Sequence, residues 1–122
     1  MTNHFKFKIA TLNVKGLNNQ QKQRNTLTLL KSYKLDLIML QETNLNDKNT
    51  QNFLKNQWMF DSIWTNKTAI LASNKDITFK NIELDLNNRI ITTNFKYKEL
   101  TFQVSNIYAL SNPRDRKLFF EK

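Results

Sequence analysis

Apolar and polar residues alternate over residues 5–13, and this period of two predicts a β-strand at the start of the chain. Apolar residues then recur at helical spacing over residues 20–33, which predicts an amphipathic helix. A short continuous apolar run lies within residues 36–41 and is typical of a strand that is covered on both faces. Strand, helix and strand in this order predict a βαβ-like beginning of the fold.

The chain after residue 57 has a predominantly β pattern, following a second short helix predicted over residues 50–57. Asn87-Asn88 is a candidate two-residue hairpin turn, because asparagine tolerates the left-handed backbone conformation. Lys98-Glu99 is a second tight connection, and Asn112-Pro113 predicts the start of a further helix. The predicted strands cover residues 59–64, 68–73, 77–86, 89–97 and 100–109.

These elements predict an α/β (α+β) fold with one mixed, mostly antiparallel sheet and helices on one face. Such a sheet has no cover on its second face, so we expect the first part of a larger α/β sandwich whose second sheet is absent. The uncovered face predicts aggregation, or pairing with a C-terminal continuation or a second chain. The alternative is a complete small α+β domain. We find no internal repeat.

The composition excludes several kinds of site. The chain has 122 residues and no Cys, which excludes a disulfide scaffold, a Cys nucleophile and a thiolate metal site. The one His is His4, so we expect neither a zinc site with several His ligands nor a Ser-His-Asp triad. A net charge of +9 suits a polyanionic partner such as nucleic acid, although a Lys-rich composition alone gives the same excess.

The hydropathy pattern contains neither a membrane span nor a secretory signal. Apolar runs such as residues 37–40 are far shorter than the ~20 residues that a spanning helix needs. The first six residues are not followed by the apolar segment of a signal peptide. We therefore expect a soluble intracellular protein that is not secreted and has no membrane partner.

Polar side chains follow two of the predicted strands at the point where each ends. Asn13 ends the first strand, and Glu42 follows the strand over residues 36–41. Parallel neighbouring strands would bring both side chains to the edge where open α/β sheets bind ligands. A carboxylate beside an amide suits a hard cation such as Mg²⁺. The alternatives are a solvated Glu42, plain turn chemistry at Asn13, and Tyr108 as an amphipathic residue at the core edge.

Four segments of the chain resemble the endonuclease/exonuclease/phosphatase superfamily, in the apurinic-like form found at the front of LINE-type (non-LTR) retrotransposon proteins. The first resembles the opening strand of that domain, and the second resembles the motif whose Glu is the metal ligand. The third and fourth resemble two later strands, the last with the helix that follows it. They are IATLNVKGLN at residues 9–18, DLIMLQET at 36–43, TAILAS at 68–73, and SNIYA at 105–109 followed by NPRDR at 112–116.

This resemblance implies the N-terminal half of a four-layer α/β sandwich of the DNase I-like type. It implies a Mg²⁺-dependent phosphodiesterase, with Mn²⁺ as the alternative cation and DNA as the partner. Glu42 and Asn13 would be the metal-binding residues, and Asn13 would also orient the phosphate or the base of the attacking water. Tyr108 would lie near the scissile phosphate, where its hydroxyl stabilises charge.

The chain departs from the family pattern in ways that bear on activity. Family members carry a later Asp-x-Asn pair and a later Asp-His pair, and neither follows Tyr108 in this sequence. We therefore expect residues 1–122 to be a partial domain, truncated before its C-terminal half. Lys15 stands where some members have Asp or Asn, so a second metal contact is not expected there.

Three functions fit these observations. The first is a fragment of the DNA-nicking endonuclease of a retrotransposon, nuclear in location and inactive alone, because one carboxylate cannot both bind the cation and activate water. The second is a basic, non-catalytic nucleic-acid-binding module. The third is a decayed gene product without activity. The candidate basic residues for the binding module are Lys15, Lys22, Arg24, Arg114 and Arg116.

Overall fold

The computed structural model describes residues 6–109, which form seven strands and two helices. Strands and helices alternate up to residue 57, and the later elements are all strands, as the sequence pattern predicts. In chain order they are β1 Ile9–Asn13, α1 Gln20–Ser32, β2 Leu37–Gln41, α2 Lys48–Gln57, β3 Ser62–Trp64, β4 Thr68–Ala72, β5 Lys80–Leu84, β6 Ile90–Tyr97 and β7 Leu100–Ile107.

The first sheet has four strands in the order β1-β2-β4-β3. β1 and β2 are parallel, as the βαβ-like beginning requires, and the other two pairs are antiparallel. Both central strands are almost wholly apolar and buried, because one face packs on the helices and the other on a second sheet.

The prediction of a single sheet is wrong. β5, β6 and β7 form a separate antiparallel sheet in that order, and it packs on the face of the first sheet opposite the helices. The core between the sheets contains β2 and β4 residues such as Leu37 and Ile70 together with Ile91 and Phe95 of β6. The described residues therefore form three layers, which are helices, sheet and sheet.

The second face of the first sheet is consequently covered by the chain's own strands, contrary to the expectation that a continuation or a second chain must cover it. The exposed outer face of the second sheet is polar where β6 pairs with β7. Thr92 and Ser105 stand opposite each other and their hydroxyl oxygens lie 2.9 Å apart, with Asn94 opposite Gln103 as the next pair on this face. These two polar pairs tolerate water, whereas Ile107, paired with Ile90 on the same face, is 43% exposed, so the expected aggregation stays a prediction.

An internal repeat is present after all, in the two strand–loop–helix segments that begin the chain. The register pairs each β1 residue with the β2 residue 28 positions later, from Ile9 with Leu37 onwards. Each helix is preceded by Leu-Asn and a capping Asn or Asp, and each has a buried Gln in its first turns. The Nε2 atoms of Gln23 and Gln51 donate to the preceding loop at 2.7 Å, to carbonyls 6 residues earlier. The repeat holds both loops in the same way at one edge of the sheet.

Several predicted boundaries shift for local reasons. The second helix begins at Lys48 rather than at residue 50, because the Asp47 side chain caps it by accepting from the Asn49 backbone N–H. The strand predicted over residues 77–86 covers Lys80–Leu84, because the Phe79 backbone N–H donates to the Asp61 carboxylate at 2.8 Å instead of to a strand.

The two predicted hairpin turns differ in outcome. Lys98 and Glu99 form a tight turn with φ values of 50° and 69°, as expected for two left-handed residues. The connection at Asn87-Asn88 is longer than two residues, because the Asp85 side chain accepts from two backbone N–H groups and widens the loop. The helix predicted at Asn112-Pro113 lies outside the described residues. Within residues 6–109 no helix is long and apolar enough to cross a membrane.

Candidate functional site

The ends of β1 and β2 lie side by side, and the loops that follow them stay hydrogen-bonded. Asn13 is in register with Gln41, the residue before Glu42. The backbone N–H of Gly16 then donates to the Glu42 carbonyl at 2.6 Å, and that of Leu17 donates to the Thr43 carbonyl at 2.8 Å. Asn13 and Glu42 therefore reach the same edge of the sheet, as the sequence predicts.

Both loops use left-handed backbone conformations at this edge. Glu42 has φ 58°, Lys15 has φ 54° and Gly16 has φ 86°. A non-glycine residue in this region costs about 1 kcal/mol or more, so Glu42 is held there by the surrounding bonds. The Asn13 Oδ1 atom accepts from the Lys15 backbone N–H at 2.9 Å, which makes Asn13 part of the turn as well as an exposed amide.

Tyr108 meets Glu42 across the two sheets. Tyr108 follows β7 in the second sheet, and its hydroxyl donates to the Glu42 Oε1 atom at 3.2 Å. Two of the three predicted site residues are therefore in direct contact, and the third, Asn13, lies at the neighbouring strand end. Burial raises the pKa of the Tyr108 hydroxyl above its usual range, and the Glu42 carboxylate raises it further, because a phenolate beside an anion is disfavoured.

Arg89 is the member of this site that the sequence analysis missed. Its guanidinium carbon lies 4.9 Å from the centroid of the Tyr108 ring, at cation–π distance. The Tyr108 backbone N–H donates to the Arg89 carbonyl at 2.8 Å, which continues the β6–β7 ladder by one pair. The guanidinium opposes the rise in the Tyr108 pKa. A signal was present, because the Lys98-Glu99 turn fixes a register that sets Arg89 opposite Tyr108.

One atom of Arg89 is unusual. Its Nη1 atom is buried and has no hydrogen-bond partner among the described residues. Buried donors normally have a partner, and a buried guanidinium donor left without one carries a desolvation penalty. An anionic oxygen beside the Tyr108 ring would satisfy this donor. Arg89 thus gives the site a group that favours an anion next to the carboxylate of Glu42.

The loop that carries Arg89 is fixed to the loop that carries Glu42 through the β3–β4 turn. The Asn88 carbonyl accepts from the Thr68 hydroxyl at 2.8 Å, and the Thr43 backbone N–H donates to the Lys67 carbonyl at 3.0 Å. The Asp85 carboxylate accepts from the backbone N–H of Arg89 at 2.7 Å. These bonds hold the relative positions of the cationic and anionic groups before any ligand arrives.

The donor set at this edge fits a hard cation in part. The Glu42 carboxylate and the Asn13 amide supply oxygen ligands of the kind that Mg²⁺ accepts, with water completing the shell. Among residues 6–109 no group of three or more His, Cys, Asp or Glu side chains could hold a metal ion. Glu42 is therefore not part of a cluster of three metal-binding side chains in the described part of the chain.

The predicted basic residues do not form one cluster. Lys15 lies in the loop after β1, and the Nζ atom of Lys22 donates to the Lys15 carbonyl at 3.0 Å, so these two stand near the site. Arg24 lies on α1 and bonds to Gln21 on the same helix. Arg114 and Arg116 lie outside the described residues.

The fold of this chain is similar to the folds of solved structures. No protein-family model and no curated protein matches this chain. The crystal structure of D. rerio TDP2, humanized by 14 mutations, matches with a TM-score of 0.67 at 15% identity, covering 88% of this chain and 49% of that chain. A β-hairpin deletion mutant of the beta toxin from Staphylococcus aureus matches with a TM-score of 0.56 at 11% identity, covering 90% and 53%.

These likenesses define the class of the fold. The chain has an α+β fold of the DNase I-like type. It spans about half the length of each of the two matching structures.

Proposed function

We propose that this chain carries half of the active site of a divalent-metal-dependent phosphodiesterase that acts on DNA. The observation that carries the proposal is the buried, unpartnered Nη1 atom of Arg89 beside the Tyr108–Glu42 pair. The Glu42 carboxylate attracts a cation, the Arg89 guanidinium attracts an anion, and both groups contact Tyr108. This arrangement suits a phosphate diester together with its metal ion.

Each residue has a distinct role in this proposal. Glu42, with Asn13 beside it, holds Mg²⁺ or Mn²⁺, and the bound cation supplies Lewis-acid polarisation of the phosphate. Arg89 binds a phosphate oxygen through Nη1. Tyr108, which Arg89 covers on one face, donates its hydroxyl to an anionic oxygen and stays protonated because of its raised pKa. The fixed loops keep these groups in place, which removes a reorganisation cost from binding.

As the particular member of this class, we propose the endonuclease of a LINE-type retrotransposon, acting in the nucleus. The support is the resemblance of the four segments described above, two of which supply Asn13 and Glu42 and a third Tyr108. The net charge of +9 suits the same substrate. A basic module that binds nucleic acid without cutting it is the second candidate, favoured by the same charge and by Arg89.

The role of Arg89 predicts a loss of DNA affinity that charge alone does not explain. Replacing Arg89 with methionine is expected to weaken binding of a short duplex about tenfold, because a charge-assisted hydrogen bond to phosphate is lost. The measurement is fluorescence anisotropy at fixed salt and in the presence of Ca²⁺. Arg24→Met is the matched control, since it removes the same charge from a helix surface, and we expect about twofold or less.

Equal losses in the two arginine variants would contradict the anion site and leave only general electrostatic attraction. Arg89→Lys sharpens the test, because lysine keeps the charge but lacks the planar fork of donors. We expect this variant to recover less than half of the lost binding free energy.

We also predict that the chain on its own does not nick DNA. Plasmid relaxation in Mg²⁺ or Mn²⁺ is expected to proceed no faster with the chain than with its Glu42→Gln variant, because Glu42 is the one carboxylate that the described residues place beside Tyr108. Agarose-gel conversion of supercoiled to open-circular plasmid measures this. Nicking that depends on both the metal and Glu42 would overturn the prediction and show a complete site.

A further inference from the structure

Asn106 is a buried polar residue that the proposed chemistry does not use. It lies in β7 with 1% of its surface exposed, and it faces the first sheet. The other inward-facing β7 residues at this interface, Phe102 and Val104, are apolar and pack on the core between the sheets. The inward-facing side chains of this strand therefore change from apolar to polar at Asn106. Tyr108 is the next inward-facing residue.

The Asn106 side chain bonds to both central strands of the opposite sheet. Its Nδ2 atom donates to the Leu40 carbonyl at 2.9 Å and to the Ala69 carbonyl at 2.8 Å. Its Oδ1 atom accepts from the Gln41 Nε2 atom at 2.8 Å. Both amide hydrogens are donated to carbonyl groups, so these hydrogen bonds offset the cost of removing the amide from water.

These bonds differ in kind from the contacts around them. Apolar contacts between two sheets are not directional, so they define the relative position of the sheets less sharply than hydrogen bonds do. Hydrogen bonds fail when the donor and acceptor separate or misalign, so three of them across one interface fix the relative position of the sheets. Leu40 and Gln41 lead directly into Glu42, and Asn106 leads into Tyr108 two residues later.

We propose that Asn106 is a positioning residue of the phosphodiesterase site, which sets the distance between the Tyr108 hydroxyl and the Glu42 carboxylate by fixing the second sheet to the end of β2. The inference rests on the proposed function, because that function requires the Tyr108 hydroxyl and the Glu42 carboxylate to lie close together. None of the three hydrogen bonds of Asn106 involves a polar atom of the Tyr108 or Glu42 side chain.

The contact can be observed directly without any substrate. Nuclear Overhauser effects between the Tyr108 ring and the Glu42 side chain report on the separation of the two groups, whose polar atoms lie 3.2 Å apart. A shift between the sheets is expected to weaken these effects.

The experiment compares Asn106→Leu with Thr93→Val in the full chain. Thr93 is a matched control, because it is a fully buried residue of the same sheet whose hydroxyl donates to the Lys80 carbonyl within that sheet. The contact is read from nuclear Overhauser effects between the Tyr108 ring and the Glu42 side chain, with Tyr108→Phe used to assign the ring signals. Paramagnetic broadening of the Tyr108 signals during a Mn²⁺ titration gives the metal affinity near Glu42.

We expect Asn106→Leu to weaken the Overhauser effects between Tyr108 and Glu42 and to weaken Mn²⁺ binding about tenfold, as loss of a supporting residue outside the metal's ligands does. Thr93→Val should lower the melting temperature and change neither quantity. A folded Asn106→Leu protein that matches Thr93→Val in both quantities would overturn the proposal.

Gln41→Met decides the question if Asn106→Leu does not fold. Gln41 is half-buried, and this change removes one of the three inter-sheet bonds while keeping the side-chain length. Weakened Overhauser effects between Tyr108 and Glu42 support the positioning role, and unchanged ones reject it. If the unaltered chain shows no Mn²⁺ broadening at Tyr108, the proposed metal site fails, while the comparison of Overhauser effects still decides the role of Asn106.

Discussion

Replacing Phe95 with alanine is expected to lower the free energy of unfolding by about 3–5 kcal/mol. Phe95 is 1% exposed and lies between the two sheets. Its ring stacks on Phe7 and Phe102, with centroids 5.6 and 5.4 Å away, and meets Phe79 edge-on at 6.0 Å. Domains are stable by only about 5–15 kcal/mol, so this change removes a large part of the total. Urea denaturation followed by circular dichroism measures the loss.

Phe53→Ala is the matched control for this prediction. Phe53 lies on α2 with 52% of its surface exposed, so the same change should cost about 1 kcal/mol or less. The comparison tests the architecture itself, because Phe95 is buried by the packing of one sheet on another. Equal costs for the two variants would mean that the second sheet does not pack on the first.

Replacing Glu42 with glutamine is expected to abolish Mn²⁺ binding at the site. Glutamine keeps the shape of the side chain and its hydrogen-bonding capacity for Tyr108, but it removes the negative charge of the carboxylate that contacts Tyr108. The Tyr108 pKa should fall in the same variant, because a nearby negative charge that disfavours the phenolate is gone. Paramagnetic broadening by Mn²⁺ and the ¹³Cζ titration of Tyr108 measure the two effects.

Glu83→Gln is the control, since Glu83 is an exposed carboxylate on β5, at the far edge of the second sheet from β7. It should leave both quantities unchanged. Mn²⁺ broadening at Tyr108 that survives Glu42→Gln would contradict the proposed metal site. Duplex binding that survives Glu42→Gln while Arg89→Met weakens it would favour the binding module over the phosphodiesterase.

Part of the site could be predicted from the sequence, because polar residues mark the ends of its strands. An apolar run that stops at Gln41 and Glu42 marks a buried strand and its polar end, and the same local signal marks Asn13. Tyr108 follows an alternating strand in the same manner. Arg89 lacks such a mark, because it stands before a strand rather than at the end of one. Only the register of the β6–β7 hairpin sets it opposite Tyr108.

The error about the sheets has a different origin. Alternation with a period of two shows that a strand has an inner and an outer face, but it does not show which sheet the strand joins. The apolar pattern at Ile91 and Phe95 would be the same if β6 were a strand of the first sheet. In the structure β6 instead belongs to the second sheet and packs on the face of the first. The polar alternate positions of β6 and β7, such as Thr92 and Ser105, are equally compatible with either arrangement.

Local patterns in this chain thus determined the helices, the strands and the polar residues at the strand ends, because each of these signals lies within a few consecutive residues. The packing of two sheets decided which of those residues meet. The Tyr108–Glu42 and Asn106–Leu40 bonds each join positions 66 residues apart. No local pattern encodes a bond over such a separation, since it depends on the direction in which every intervening strand turns and on the burial that results.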